Sequence, residues 1–219
     1  MKGNQPEIEA TDQDKSQDEF TAVSNILISN FNEIEDRSRG TSVAGLPVNF
    51  YDFDAMTQGL QRGDLIVLGS RPSMGKTSLA LNMAKNVAQL HNLPVCIFDL
   101  EMSKEQLTYR LISSEVGIET SRLRTGRLQE DEWPDLGEGL ERLGQLPIFI
   151  TDKSKVTVDE MISKCQGIKE QHKTELGLIV IDYLQLMDGP LYESRDEELS
   201  KVVVQLKEMA KVLNVPVIV

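Results

Sequence analysis

A short segment between two hydrophobic stretches constrains the fold of this 219-residue chain more than any other feature. Residues 65–69 read as a β-strand, residues 77–90 read as a helix rich in Ala and Leu, and the turn between them ends in Gly75-Lys76-Thr77. A tight turn at a helix N-terminus points its backbone N–H groups toward an anion. The segment therefore predicts a phosphate-binding loop at the edge of an α/β sheet.

The predicted loop assigns different tasks to its residues. Lys76 is expected to contact the β and γ phosphates of a bound nucleotide, and the Thr77 hydroxyl is expected to hold Mg²⁺. The usual pattern begins with Gly, whereas this chain has Ser70 there and Gly69 one residue earlier, so we expect a small residue to suffice. A surface turn containing Gly-Lys-Thr by chance is the alternative, and the flanking strand and helix disfavour it. The predicted nucleotide-binding residues are Ser70, Arg71, Pro72, Ser73, Met74, Gly75, Lys76, Thr77 and Ser78.

Further along the chain, helical segments alternate with short apolar segments. The apolar segments are continuous runs of Val, Ile and Leu, which is typical of parallel strands covered by helices on both faces. The fold class predicted is thus α/β, with a mostly parallel sheet flanked by helices and with ligands bound at the carboxyl ends of the strands. The predicted strands are 95–99, 148–150, 178–181 and 217–219, and the predicted helices are 103–116, 157–172 and 195–213.

Carboxylates follow two of these strands. Asp182 ends an apolar strand and is predicted to lie on the metal side of a bound nucleotide, although a turn or capping Asp is the alternative. Glu101 follows the strand 95–99 and could accept a proton from the water that attacks the γ phosphate. Asp99 competes with Glu101 for this role, and the residues alone favour Glu101 only modestly.

The N-terminal part differs from the rest of the chain. Residues 1–17 are polar and acidic and are predicted to be a disordered leader. Residues 18–39 are predicted to form a helix, with Ser16 and Glu19 as a capping box and an apolar stripe formed by Phe20, Val23, Leu27, Phe31 and Ile34. Residues 40–49, rich in Gly, Ser, Thr and Pro, are predicted to be a linker, and residues 50–219 to be the main domain.

Composition excludes several classes of protein. With 35 acidic and 23 basic residues the chain carries a net charge of −12, which argues against a protein that coats nucleic acid through general attraction. Cys96 and Cys165 show no metal-binding or disulfide spacing, so a reducing cytoplasm is expected. No apolar run is long enough to span a bilayer, so we expect no membrane association. Arg122, Arg124 and Arg127 form a basic cluster without an assigned role, and Trp133 is expected in the core.

Five ordered motifs together resemble the ATPase domain of the DnaB-type replicative helicases, from about Gly40 to the last residue. The resemblance implies a RecA-like P-loop fold, ATP and Mg²⁺ as cofactors, a ring-shaped homo-hexamer, and 5′ to 3′ translocation on single-stranded DNA. By position it makes Lys76 and Thr77 part of the phosphate loop, Glu101 the catalytic base and Asp182 the Walker B acid. The motifs are Arg71-Pro-Ser-Met-Gly-Lys-Thr77, Leu100-Glu-Met-Ser103, Arg122-Leu-Arg-Thr-Gly-Arg127, Ile181-Asp-Tyr-Leu-Gln-Leu-Met187 and Leu213-Asn-Val-Pro-Val-Ile218.

The resemblance also implies partners. The helix predicted at residues 18–39 is similar to the family's linker helix, which docks on a neighbouring subunit, and primase and a helicase loader are implied as replication partners. The predicted strand 217–219 is followed in the family by a sensor, DNA-contacting loops and an arginine finger, so we expect a fragment that is inactive alone. Another RecA-like ATPase and a non-hydrolysing nucleotide-binding remnant remain as alternatives.

Overall fold

The computed structural model describes residues 21–40, 44–71, 73–153, 156–182 and 195–219. The chain divides into two compact units, Met1–Val43 and Ala44–Val219. The second unit begins within the segment that the sequence assigned to a linker. Leu46 exchanges two backbone hydrogen bonds of 2.8 Å with Leu60, and Val48 is fully buried. These contacts explain why the second half of the predicted linker belongs to the larger unit.

The first unit contains helix α1, Val23–Ser38. The helix begins later than predicted: Ala22 is its N-cap, in extended conformation and with no side-chain cap. The predicted capping residues Ser16 and Glu19 and the stripe residue Phe20 lie outside the described residues. No residue of α1 is buried, so its apolar side chains are exposed.

The second unit is built on a five-stranded sheet in the order β1-β5-β4-β2-β3. Every pairing in this sheet is parallel, as the continuous apolar runs predicted. Strand β1 is shorter than predicted, since its regular pairing is limited to two residues. The strands are β1 Leu65–Ile66, β2 Val95–Asp99, β3 Ile148–Thr151, β4 Leu178–Asp182 and β5 Val217–Ile218.

Helices connect successive strands of this sheet, and those predicted from the sequence are present within one or two residues at either end. Three further helices, α2, α5 and α6, were not predicted. Helix α6 contains Pro134 and three glycines, which lower its intrinsic helical propensity. Pro134 is tolerated because it lies in the first turn, where its missing N–H has no intrahelical acceptor. The helices are α2 Tyr51–Thr57, α3 Lys76–His91, α4 Lys104–Val116, α5 Thr120–Thr125, α6 Glu132–Gly144, α7 Val158–His172 and α8 Arg195–Leu213.

The two faces of the sheet bury separate apolar clusters. On one face Phe98 and Ile181 pack with residues of α7 and α8, including Met161 and Leu206. On the other face Ile97, Val180 and Ile218 pack with residues of α3 and α4. Burial on both faces gives the three-layer arrangement expected of an α/β domain with a parallel sheet.

Two smaller expectations concern individual side chains. Cys96 and Cys165 are free thiols buried in the first cluster. Trp133 is 56% exposed, so its predicted place in the core is wrong. Glu132, the preceding residue, lies on the inward side of α6 together with Gly139. Successive helical residues are rotated by about 100°, so the Trp133 side chain is turned away from that inward side. Across the described residues, no helix combines the length and apolar character that crossing a bilayer demands.

Candidate nucleotide-binding site

The predicted phosphate-binding loop lies between β1 and α3, at the carboxyl edge of the sheet. Gly75 is the N-cap of α3 and has φ of +87°, and Ser73 also has a positive φ of +64°. Residues of this conformation turn successive N–H groups toward one side of the chain. The first-turn N–H groups of α3 have no intrahelical acceptor and carry the positive end of the helix dipole. The loop can therefore bind a phosphate group.

The other predicted loop residues are near the surface. Ser70, Arg71, Ser73, Met74 and Ser78 are exposed. The Ser70 hydroxyl donates to the Arg71 carbonyl oxygen over 3.2 Å, so the residue in the usual glycine position makes a bond within the loop. Pro72 lies outside the described residues.

Asp182 joins the loop to the end of strand β4. Its Oδ1 lies 2.5 Å from the Lys76 Nζ, and its Oδ2 accepts a 2.5 Å hydrogen bond from the Thr77 hydroxyl. The Asp182 side chain is 8% exposed, whereas Lys76 is 28% exposed. The fold therefore brings Asp182 to Lys76 and Thr77, more than a hundred residues earlier in the chain.

Asp99 lies beside Asp182, because these two residues are register partners in the pairing of β2 with β4. Its side chain is almost fully buried, at 1% exposure. Oδ1 accepts hydrogen bonds from the backbone N–H groups of Glu101 at 2.9 Å and Met102 at 2.6 Å. Burial raises the pKa of Asp99, these two bonds lower it, and the nearby carboxylates of Asp182 and Glu101 raise it further, so the net shift is upward.

Glu101 lies in the turn between β2 and α4, and its side chain is exposed. The turn starts at Leu100, whose N–H donates to the Asp182 carbonyl oxygen over 2.7 Å. It ends at Ser103, which forms a capping box with Gln106 at the start of α4. Glu101 is thus available to solvent at the edge that carries Lys76 and Asp182, while Asp99 is engaged in holding the turn.

The basic cluster divides into one bound and two exposed residues. Arg122 makes two hydrogen bonds to the Glu132 carboxylate, at 2.8 and 2.6 Å, and connects α5 to α6. Arg124 and Arg127 are exposed. The structural role of Arg122 was missed from the sequence, because Glu132 lies in a helix that the pattern did not predict.

The site's donors fit a magnesium nucleotide. A hydroxyl and a carboxylate are hard oxygen ligands, and Mg²⁺ is commonly held by one or two protein groups together with substrate phosphates. No cluster of three or more His, Cys, Asp or Glu that could hold a metal by itself is found among the described residues. Space is also available at the loop, since no atom lies within 4 Å of the position that a Cβ on Gly75 would occupy.

A parallel sheet with this loop, this lysine and an acid at the end of a neighbouring strand defines a RecA-like P-loop nucleotide-binding domain. Residues 45–219 match the model of the family described as DnaB-like helicase C terminal domain. The chain belongs to this family, as the five motifs predicted.

Curated relatives and solved structures agree with this assignment. The chain is 48% identical over 206 residues to the replicative DNA helicase DnaB of Nostoc sp., and 39% identical over 209 residues to the replicative DNA helicase DnaC of Bacillus subtilis. These alignments cover 94% of this chain, but 23% and 46% of the two relatives. The chain therefore spans between about a quarter and a half of their length.

The fold resembles the ATPase domain of G40P with a TM-score of 0.84 and 30% identity, over 91% of this chain and 70% of that one. It also resembles a DnaB-like replicative helicase whose structure was solved together with its interactions with primase. There the TM-score is 0.81 and the identity 31%, over 92% of this chain and 48% of that one. The RecA-like fold predicted from the motifs is therefore confirmed.

Proposed function

We propose that this chain is the ATP-driven motor domain of a replicative DNA helicase. In this proposal it binds Mg²⁺-ATP at residues 70–78 and couples hydrolysis to 5′ to 3′ translocation on single-stranded DNA and to duplex separation during replication. The observation that carries the proposal is the bonding of one carboxylate, Asp182, to both Lys76 and Thr77 at the N-terminus of α3.

Each residue of the site has a distinct task in this function. Lys76 stabilises the negative charge of the phosphates, and the Thr77 hydroxyl and the Asp182 carboxylate hold the metal. Bound Mg²⁺ supplies charge that makes the terminal phosphate a better electrophile. Glu101 accepts a proton from the attacking water, which its exposed position at the sheet edge allows. Lys76 and Glu101 are the catalytic residues of this proposal.

The proposed assembly is a homo-hexamer that forms through the linker helix α1. The relevant observation is that Val23, Leu27, Phe31 and Ile34 are all at least 60% exposed on this helix. A neighbouring subunit is the proposed partner for this stripe, single-stranded DNA is the proposed substrate, and primase and a loader are the proposed replication partners. The cytoplasm is the proposed compartment.

Nucleotide binding can be tested by calorimetry with Mg²⁺-ATP on the full chain. We expect Lys76→Ala to weaken binding at least tenfold, because a charge-assisted contact to phosphate is lost. Lys169→Ala is a matched control, since Lys169, in the last turn of α7, is 38% exposed and pairs with Glu175, which follows the helix. Equal affinities for wild type and Lys76→Ala would contradict the assignment of the loop.

The role of Glu101 requires a separate test by steady-state ATPase measurements with single-stranded DNA present. In a completed hexamer, we expect Glu101→Gln to lower kcat by roughly a hundredfold or more, the scale of a general base, and to leave Mg²⁺-ATP affinity unchanged. A glutamine cannot accept the proton, but it preserves the size and polarity of the side chain. Loss of turnover in Asp99→Asn with normal turnover in Glu101→Gln would reverse the assignment of the two acids.

A further inference from the structure

We infer that Asp99 is a positioning residue, which fixes the turn that carries Glu101 beside Asp182. This inference rests on the hydrolytic role proposed for Glu101. Asp99 contacts the backbone of the turn and has no assigned contact with nucleotide, so it acts through Glu101.

The placement of Asp99 follows from the sheet. In a strand, alternate residues face the same side, so Asp99 shares a face with Ile97, and Asp182 shares one with Val180. Ile97 and Val180 both pack in the cluster on the α3 side. Asp99 and Asp182 therefore lie on the side of the sheet that carries the phosphate-binding loop, at its carboxyl edge.

The hydrogen bonds of Asp99 are located where the chain leaves the sheet. One oxygen, Oδ1, accepts from two successive N–H groups, at 2.9 Å from Glu101 and 2.6 Å from Met102. At the next residue, the capping box of Ser103 begins helix α4. The backbone of Glu101 is thus held directly by Asp99 and fixed on its far side by a helix cap.

The environment of Asp99 is unfavourable for an ionised carboxylate, which argues that the residue has a role beyond packing. Its second oxygen, Oδ2, is buried and has no hydrogen-bond partner among the described residues. Burying a polar atom without a partner is unfavourable, and so is placing a carboxylate near the like charges of Asp182 and Glu101. Such local costs cluster at functional sites, where they keep a required geometry.

A first experiment measures the turn without requiring activity. Hydrogen exchange of the Glu101 and Met102 amides is compared in wild type, Asp99→Asn and Asp99→Ala. Asparagine keeps an accepting oxygen, so we expect protection to remain within about threefold of wild type, whereas alanine should speed exchange at these two amides at least tenfold. If the alanine variant does not fold, Asp99→Val fills similar space without an acceptor. Unchanged protection in the variant without an acceptor would overturn the inference.

A second experiment tests whether Asp99 acts through Glu101, by a double-mutant cycle on ATPase activity. In a completed hexamer, we expect Asp99→Ala to lower kcat at least tenfold with Mg²⁺-ATP affinity unchanged, and Asp99→Asn to retain most of the wild-type kcat. In a Glu101→Gln background, Asp99→Ala should have little further effect on kcat. Additive effects, or a loss of stability with normal kcat, would overturn the inference. Absence of ATPase in a completed wild-type hexamer would contradict the proposed function, and the exchange measurement would still decide the role of Asp99.

Discussion

At the scale of single residues, the phosphate-binding loop requires glycine for its backbone at one position. Gly75 has φ of +87°, a conformation that costs a residue with a side chain about 1–2 kcal/mol. A Cβ there would meet no atom within 4 Å, so steric overlap is not the reason for glycine. Gly69 also has open space, but its φ lies outside the left-handed region. Alanine substitution at the two positions therefore separates the cost of the backbone conformation from the cost of an added side chain.

We expect Gly75→Ala to lower the free energy of unfolding by about 1–2 kcal/mol and Gly69→Ala to change it by less than about 0.5 kcal/mol. Urea unfolding of the three proteins measures both effects. The strain also disturbs the N–H groups of the loop, so Gly75→Ala should weaken Mg²⁺-ATP binding more than Gly69→Ala does. Equal stability of the two variants would show that Gly75 is not required for its conformation.

Single residues also show what the sequence could predict about the site. Lys76, Thr77 and Asp182 were predicted because each follows a recognisable strand or begins a recognisable helix. The bonding of Asp182 to both other residues could not be predicted, since it depends on which strands are neighbours. Asp99 appeared only as a competitor for the catalytic base, because no local pattern reveals that a side chain bonds two N–H groups in the next turn.

At the scale of helices, a largely buried carboxylate links three helices through ion pairs. Glu115 near the end of α4 accepts hydrogen bonds from Lys85 of α3 at 3.1 Å and from Arg142 of α6 at 2.7 Å. Burial raises the pKa of Glu115, but hydrogen bonds from Arg142 and Lys85 outweigh it and set the pKa below the ordinary value of 4.5. The ionised form of Glu115 therefore stabilises the fold.

We expect Glu115→Gln to lower the free energy of unfolding by about 1–3 kcal/mol at pH 7, since bonds to two cations lose their charge. The folded pKa lies below the unfolded one, so the contribution is present above pH 4.5 and is lost as pH falls through the folded pKa. Denaturant unfolding should show a smaller difference in the free energy of unfolding between wild type and Glu115→Gln at pH 3.5 than at pH 7. Glu160→Gln is the control, because the Glu160 pair with Lys153 is about half exposed. An equal difference at both pH values would contradict this account.

Helices also mark the limit of what sequence patterns could predict. Strands β2, β3 and β4 and helices α3, α4, α7 and α8 follow from continuous apolar runs and helical periodicity. Helix α6 was missed because Pro134 and its glycines read as a loop. Its inward face uses a glycine, Gly139, where an added Cβ would overlap Val116 of α4. A small residue that permits close helix packing resembles a turn residue in sequence, and only the tertiary contact distinguishes them.

At the scale of the whole molecule, the order of the strands brings the residues of the candidate site together. Strand β4 lies between β2 and β5, and β5 pairs with β1. Asp182, at the end of β4, therefore lies between Asp99 of β2 and the part of the sheet that carries β1. The pattern of alternating elements predicted a parallel sheet, but it could not predict this order. The first unit contains α1, whose apolar stripe was predicted from three- and four-residue spacing. The stripe residues that the structure describes, Val23, Leu27, Phe31 and Ile34, are exposed.

The exposed stripe leads to a prediction about assembly. Burying a large apolar side chain contributes about 1.5–3 kcal/mol, so docking Val23, Leu27, Phe31 and Ile34 on another subunit would favour association strongly. Phe31→Glu removes one of these side chains and adds a charge to a segment that already contains Glu33, Glu35 and Asp36. Ser29→Glu places the same charge on the opposite side of the helix, since Ser29 lies outside the arc occupied by the stripe.

We expect wild type and Ser29→Glu to have the mass of a multi-subunit assembly with Mg²⁺-ATP present, and Phe31→Glu to shift toward the mass of a single chain. Light scattering coupled to size-exclusion chromatography, over a tenfold range of protein concentration, measures this directly. Circular dichroism of each variant separates lost assembly from lost folding. A wild-type protein that stays a single chain at the highest concentration, or a Phe31→Glu variant that assembles like wild type, would contradict the proposed role of α1. Dissociation by both substitutions would mean that added charge, and not the stripe, governs association.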